Sequence, residues 1–205
     1  GVSRKDLADR PLRDANTGEE VTADEAAEEY SANTFESRLM IPARVNEMCK
    51  NLFDYLVASG QPEQKTIIFC ARDRHADDVA DEMNNLYTHW CNSTENASVQ
   101  DYAFKCTAAA GKEHLADIRG STRHHFIATT VDLLTTGVDV PPVSNIVFFK
   151  YVSSPIAFYQ MVGRGTRLNP STNKLMFKVY DYTNATRLFG EDFKSRFAEQ
   201  EGKSA

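Results

Sequence analysis

Gln160-Met161-Val162-Gly163-Arg164-Gly165-Thr166-Arg167 places two arginines three residues apart, directly behind a glycine, with a glutamine four residues before the first. Arginine carries a permanent charge on a planar fork that matches phosphate oxygens. Ser154 to Val162 reads as a short helix. Residues three and four apart share a helix face, so Gln160, Arg164 and Arg167 fall on one side of its end. That arrangement directs several donors at one polyphosphate. Without a companion motif, the same letters describe a glycine-punctuated turn with two solvated arginines.

A companion lies upstream, in Ala128-Thr129-Thr130-Val131-Asp132-Leu133-Leu134-Thr135-Thr136-Gly137-Val138-Asp139-Val140-Pro141. It follows the run His125-Phe126-Ile127-Ala128, which reads as a buried strand over His124 to Thr129. Thr129 and Thr130 then stand at the carboxyl end of that strand, where ligands bind in open α/β sheets. Asp132 suits the cap of a short helix through Leu134, and Gly137 suits its end.

In this order and at this spacing, the two segments resemble the closing motifs of superfamily 2 helicases and translocases, the last of which reads Gln-x-x-Gly-Arg-x-x-Arg. The wording narrows the resemblance. Val131 to Pro141, Asn145-Ile146-Val147-Phe148-Phe149, Gln160 to Leu168 and Val179-Tyr180-Asp181-Tyr182-Thr183 are similar to the motor subunit of type I restriction-modification enzymes. The similarity extends from about residue 64 to about residue 190.

That resemblance implies an α/β, RecA-like three-layer fold with a mostly parallel central sheet, and specifically the second of two such lobes. A phosphate loop reads Gly-x-x-x-x-Gly-Lys-[Ser/Thr]. The nearest approach, Ala109-Ala110-Gly111-Lys112, has Cys106 at the first glycine position and Glu113 at the hydroxyl position. No Asp-Glu-x-His-type motif follows a strand either. In the resembled family ATP and Mg2+ sit between the lobes, and the first lobe holds the phosphates and the metal. The resemblance then gives Arg164 and Arg167 the role of arginine fingers, and Gln160 a bond to the γ-phosphate or the attacking-water network. Gly137, Asp139 and Gly163 belong to the nucleotide side. Thr129, Thr130 and Arg72 contact a DNA strand, Arg72 from the Cys70-Ala71-Arg72 turn before a helix. The implied partners are double-stranded DNA, the first lobe and a nuclease domain of the same polypeptide, and separate modification and specificity subunits, all in the cytoplasm. The chain alone is expected to hydrolyse no ATP. Two other readings stay open: a lobe of another superfamily 2 repair or RNA helicase, and a nucleic-acid-binding RecA-like module without catalysis. The arginine pair argues against the latter, since binding alone needs no finger.

Composition agrees without deciding. The chain has 205 residues, an apolar share of 41% and a net charge of -6. Residues 1–37 hold ten acids against four bases, so the remainder is balanced. This weakens the objection that an acidic chain avoids nucleic acid. No run of apolar residues is long enough to span a bilayer, and no signal peptide pattern opens the chain. The start at Gly1 rather than Met is the expectation for a processed or excised fragment. Cys49, Cys70, Cys91 and Cys106 are widely spaced, without a Cys-x-x-Cys pair, and read as reduced, buried thiols rather than metal ligands. No metal site is expected.

Residues 1–37 read as an acidic connector, holding a short strand pair or partly irregular. Residues 38–190 form the lobe and 191–205 begin a following helical segment. Within the lobe, Pro42 starts a helix to about Ser59, with Val45, Met48, Cys49, Leu52, Phe53 and Leu56 on its apolar stripe and Gly60 as its stop. Lys65 to Cys70 is a strand. Asp73 or a neighbour caps a helix with Ala76, Val79, Ala80, Met83 and Leu86 inward. Further strands are expected at Tyr102 to Cys106, His124 to Thr129, Asn145 to Phe149 and Leu175 to Tyr180, with a short helix at Lys112 to Arg119. Strands alternating with helices indicate a parallel sheet.

Overall fold

The computed structural model describes residues 12–14, 20–21, 39–40, 42–96, 98, 101–106, 124–131, 143–163 and 177–189. Three short strands come first: β1 (Leu12–Asp14), β2 (Glu20–Val21) and β3 (Leu39–Met40). They pair antiparallel in the order β2-β1-β3, one strand more than the expected pair. There follow α1 (Pro42–Ala58), β4 (Thr66–Phe69), α2 (Asp73–Thr94), β5 (Ala103–Lys105), β6 (Ile127–Thr130), β7 (Asn145–Phe148), α3 (Pro155–Gly163) and β8 (Lys178–Asp181). A 3-10 turn, Ala185–Leu188, comes last. The segments around Lys112 to Arg119 and Asp132 to Gly137 lie outside the described residues.

The second sheet runs β5-β6-β4-β7-β8, and every neighbouring pair is parallel. All residues of β4, β6 and β7 are buried. Alternation sends their side chains to two separate cores, as a sheet covered on both faces requires. Ile68, Ile127 and Val147 pack with α1 and α2. Ile67, Phe69, Ala128, Ile146 and Phe148 pack with α3 and the 3-10 turn. On α1, Val45, Cys49, Leu52, Phe53 and Leu56 are buried, and Met48 packs partly buried beside them. Gly60, at φ 138, takes a backbone region that side chains disfavour. All four cysteines are buried, and none is in a disulfide.

Three expectations shift. β6 begins at Ile127 rather than His124, because His125 adopts φ 55, which a strand cannot continue. β8 covers Lys178–Asp181, later than Leu175 to Tyr180. Asp73 does not cap α2; Arg72 occupies the cap in an extended conformation with no side-chain cap bond. The Asp73 carboxylate instead accepts from Lys105 Nζ at 2.8 Å, a stronger offer than a neutral amide. α2 also runs on to Thr94, burying Tyr87 and Cys91 on the face it presents to the sheet.

The chain enters β4 in the middle of the sheet, reaches β5 and β6 on one flank, then β7 and β8 on the other. β4 leads into α2 on one face, and β7 into α3 on the opposite face. The exits of β4 and β7 are therefore adjacent ends whose connections diverge. That is the topological switch point where open α/β sheets leave a crevice.

Candidate functional site

The exit of β4 is built by short-range bonds. The Cys70 N–H donates to Thr130 O at 2.7 Å, holding the exits of β4 and β6 side by side. The Ala71 N–H donates to His75 Nδ1 at 3.1 Å, and the Ala76 N–H to Arg72 O at 3.0 Å. Arg72, half-buried, thus stands on a fixed turn at the start of a 22-residue helix. His75 is 6% exposed and lies parallel to the Phe149 ring, with centroids 6.5 Å apart. Burial, with the charge of Arg44 adding to it, pushes its pKa down to about 4. The imidazole is therefore neutral, Nδ1 accepts, and the proton sits on Nε2, which has no partner. Lys105 closes the far side, donating to Asp73 and Asp77 at 2.8 Å each. Those two bonds raise its pKa.

At the exit of β6, Thr129 is fully buried and its hydroxyl donates to Ala76 O at 2.7 Å. It ties β6 to α2 and faces away from solvent. Thr130 is equally buried, and its hydroxyl has no partner among the described residues. Beyond β7, Lys150 Nζ donates to Val131 O at 3.0 Å. Beyond β8, the Asp181 carboxylate accepts from the Thr183, Ala185 and Thr186 amides and the Thr186 hydroxyl, at 2.7 to 3.0 Å. Burial raises its pKa, but these four bonds outweigh burial and hold it below the ordinary carboxylate value.

α3 starts at Ser154, whose hydroxyl accepts from the Ala157 N–H at 3.3 Å. It buries Phe158, Met161 and Val162. Gln160 lies on the exposed side, in line with Ile156 one turn earlier, which is 65% exposed. Gly163 is the last helical residue, and a Cβ there would meet no atom within 4 Å.

The structure therefore brings Arg72, Thr129 and Thr130 together at adjacent strand exits. It places Gln160 and Gly163 on a separate helix. Arg164, Arg167, Gly137 and Asp139 lie outside the described residues. Sequence reasoning missed Lys150, His75 and Asp181. Lys150 was within reach of it, since it directly follows the apolar run Asn145 to Phe149, just as Arg72 follows β4. Asp181 lies in the Val179 to Thr183 stretch that carries the resemblance but has no role there by spacing, and His75 gave no signal, because its Nδ1 accepts from a backbone amide.

Residues 44–169 match the helicase conserved C-terminal domain. The chain belongs to that family. It is the second RecA-like lobe of a superfamily 2 motor, and the relatives narrow the type. It is 38% identical over 159 residues to the endonuclease subunit of the type I restriction enzyme EcoKI of Escherichia coli K12, covering 75% of this chain and 13% of that protein. It is 31% identical over 166 residues to the endonuclease subunit of the Escherichia coli enzyme EcoAI, covering 80% of this chain and 20% of that protein. A solved fragment assigned to the HsdR subunit of a type I restriction enzyme from Vibrio vulnificus YJ016 is 37% identical, with a TM-score of 0.62 over 72% of this chain and 28% of that one. The chain thus spans a fifth or less of the length of these curated relatives. No helix among the described residues is long and apolar enough to cross a membrane.

Proposed function

We propose that this lobe belongs to the ATP-dependent DNA translocase of a type I restriction endonuclease R subunit, and that it supplies arginine fingers and DNA-backbone contacts. The observation that carries the reading is the exposed stripe of α3. Gln160 is in solvent on the helix that ends at Gly163, immediately before Arg164.

In this reading Arg164 and Arg167 approach the γ-phosphate as charge develops, and Gln160 orients the γ-phosphate or the attacking water. Gly137 and Asp139 serve the nucleotide side between the lobes. Mg2+ falls to the first lobe, which in the resembled family holds the phosphates and the metal. Arg72 and the exit of β6 contact a phosphate of duplex DNA. Arg72 is the partly exposed side chain of this group, while Thr129 and Thr130 are buried beneath it, Thr129 against Ala76 O. Closure around ATP and release after hydrolysis would shift this grip along the duplex. Cleavage belongs to a nuclease domain elsewhere in the polypeptide, and site choice to modification and specificity subunits, in the cytoplasm. Without the first lobe, the chain hydrolyses no ATP.

The test is DNA-stimulated ATP turnover by the full-length polypeptide. Arg164→Ala or Arg167→Ala is expected to slow it on the order of 10³-fold, with ATP and DNA binding little changed. Lysine should rescue poorly, since a point charge does not reproduce the planar fork. Near-normal turnover in both alanine variants would overturn the reading.

A further inference from the structure

α3 is held in place by what surrounds it, since a nine-residue helix is marginal on its own. Its buried Phe158 ring stacks on Phe148 of β7, with centroids 5.5 Å apart, and meets Phe189 edge-on at 4.8 Å. Phe158, Met161 and Val162 share a core with Ala185 and Leu188 of the 3-10 turn. The turn that follows β8 is therefore a second wall for α3, beside the sheet.

The same turn grips the loop that launches α3. The Thr183 hydroxyl donates to Lys150 O at 2.7 Å, and Arg187 donates to Val152 O at 2.7 Å. The Arg187 guanidinium lies over the Tyr151 ring, 4.3 Å from its centre. Two carbonyls and a ring are thus fixed just before the helix begins at Pro155. Ser154 completes the link, its hydroxyl accepting from the Ala157 N–H and its carbonyl from the Phe158 N–H.

One side chain folds the turn. Asp181 Oδ1 accepts from the Thr183 and Ala185 N–H groups at 3.0 and 2.9 Å, and Oδ2 from the Thr186 N–H and hydroxyl at 2.8 and 2.7 Å. Asn184, at the cap position with φ 59, makes no cap bond with its side chain, so Asp181 caps the turn from upstream. All four partners are donors, which suits a carboxylate with two accepting oxygens. We propose that Asp181 is a positioning residue. Through Thr183 and Arg187 it sets the loop 150–154, and hence where the exposed stripe of α3, carrying Ile156 and Gln160, stands. That this stripe meets nucleotide rests on the function proposed above.

The test uses the full-length polypeptide with Asp181→Asn, Thr183→Val, Gln160→Ala and the Asp181→Asn, Gln160→Ala double variant. DNA-stimulated turnover and amide hydrogen exchange are read in each. In Asp181→Asn an NH2 group replaces one acceptor and confronts donors, so the turn loosens. Its kcat should fall on the order of 10²-fold, the effect of a small displacement of active-site groups. Amides of 156–163 should exchange faster, while those of Ile67 to Phe69 and Ile127 to Thr130 keep their protection. Apparent DNA affinity should stay within about twofold, because the turn that carries Arg72 has its own backbone bonds. Thr183→Val leaves the carboxylate bonded by the backbone and removes only the tie to Lys150 O. It should move both readouts the same way but less, and it tests the tie even where Asp181→Asn does not fold. Because Asp181 acts through α3, the loss in the double variant should fall short of the product of the two single losses. Unchanged exchange over 156–163, faster exchange spread through β4 and β6, or losses that multiply in full would overturn the proposal. If Gln160→Ala keeps full turnover, the nucleotide role of that residue fails, while faster exchange confined to α3 and its loop still upholds the positioning role.

Discussion

The two ends of the parallel sheet treat polar groups in opposite ways. At the amino end many of them are spent on one another. Gln64 Nε2 donates to Leu56 O, Ser59 Oγ and Gln61 O, and Asn145 Nδ2 donates to Gln64 Oε1 and Thr66 Oγ1. Tyr102 donates to Pro62 O at 2.6 Å and Tyr87 to Glu63 at 2.9 Å. Even the cation there, Lys65, donates to His124 O and His125 O and lies over the Phe126 ring. At the carboxyl end, Arg44, Arg72 and Arg74 stand in or beside the first turns of α1 and α2. A cation at a helix start is unfavourable because the helix dipole is positive there. An anionic ligand relieves that cost. One end closes the fold, and the other gathers arginines at helix starts, where an anionic ligand would be favourable.

The largest expected effect tests the closed end. Tyr102 is fully buried, stacked on Tyr87 with centroids 4.0 Å apart and set edge-on to Phe53. Tyr102→Ala should cost about 3 to 5 kcal/mol, through lost transfer energy and the cavity left behind. Tyr102→Phe removes only the bond to Pro62 O and should cost about 1 kcal/mol. Denaturant midpoints measure both. DNA affinity per folded molecule should not move. A loss below about 1 kcal/mol for the alanine variant would break the claim that this end is the structural seam.

The next effect sharpens the contrast through pH. The folded value of His75, about 4, lies below its ordinary 6.5, so the unfolded chain takes up the proton first as pH falls. Stability is complete above about 6.5, declines towards about 4, and is flat below. The total for this one group is at most about 3 kcal/mol. Asp181 acts the other way round in cause but not in direction. Its depressed value gives stability present above the unfolded carboxylate range and lost as pH falls through its folded value, below the His75 window. Urea titrations at several pH values should show a slope between 6.5 and 4 that His75→Gln abolishes and Asp181→Asn leaves in place. A slope that survives His75→Gln would show that the buried imidazole is not the group responsible.

How much of this was legible depended on the scale of the signal. The apolar alternation of Thr66-Ile67-Ile68-Phe69 and Asn145-Ile146-Val147-Phe148 marks central strands, because both faces of such a strand must be buried. The helix from Pro42 was readable in full, since its stripe repeats over four turns. The start of β6 was not, because positive φ at His125 is a backbone property that the apolar letters around it conceal. For the cap of α2 the sequence leaves Asp73 or a neighbour open; the neighbour Arg72 takes it, and only the fold reveals Lys105 beside Asp73. At the site, the sequence offers Arg72 by its place behind a strand and Gln160 by its motif, and the structure sets the first on the turn before α2 and the second on the exposed side of α3. The burial of the Thr129 hydroxyl against Ala76 O pairs residues 53 apart in sequence, which no local pattern encodes.

The smallest expected effects fall on Thr129 and Arg72, and they separate fold from grip. Thr129→Val keeps the shape but removes the bond to Ala76 O, at a cost of about 1 kcal/mol. The Ala76 carbonyl belongs to a helix and keeps its helical partner, so no larger penalty is expected. Any weakening of DNA binding by this variant then reaches DNA through a loosened β6 exit, and it should shrink once stability is restored elsewhere. Arg72→Ala should change stability by no more than about 0.5 kcal/mol, since the side chain is half-buried and the α2 start is held by backbone bonds. It should weaken binding of the full-length polypeptide to duplexes of unrelated sequence equally, and lower the slope of log affinity against log salt by about 1. That slope is the decisive quantity, because lost folding changes the amount of active protein but not the number of counterions released per binding event. An unchanged slope would remove Arg72 from the DNA contact and leave the carboxyl end with charge but no demonstrated phosphate.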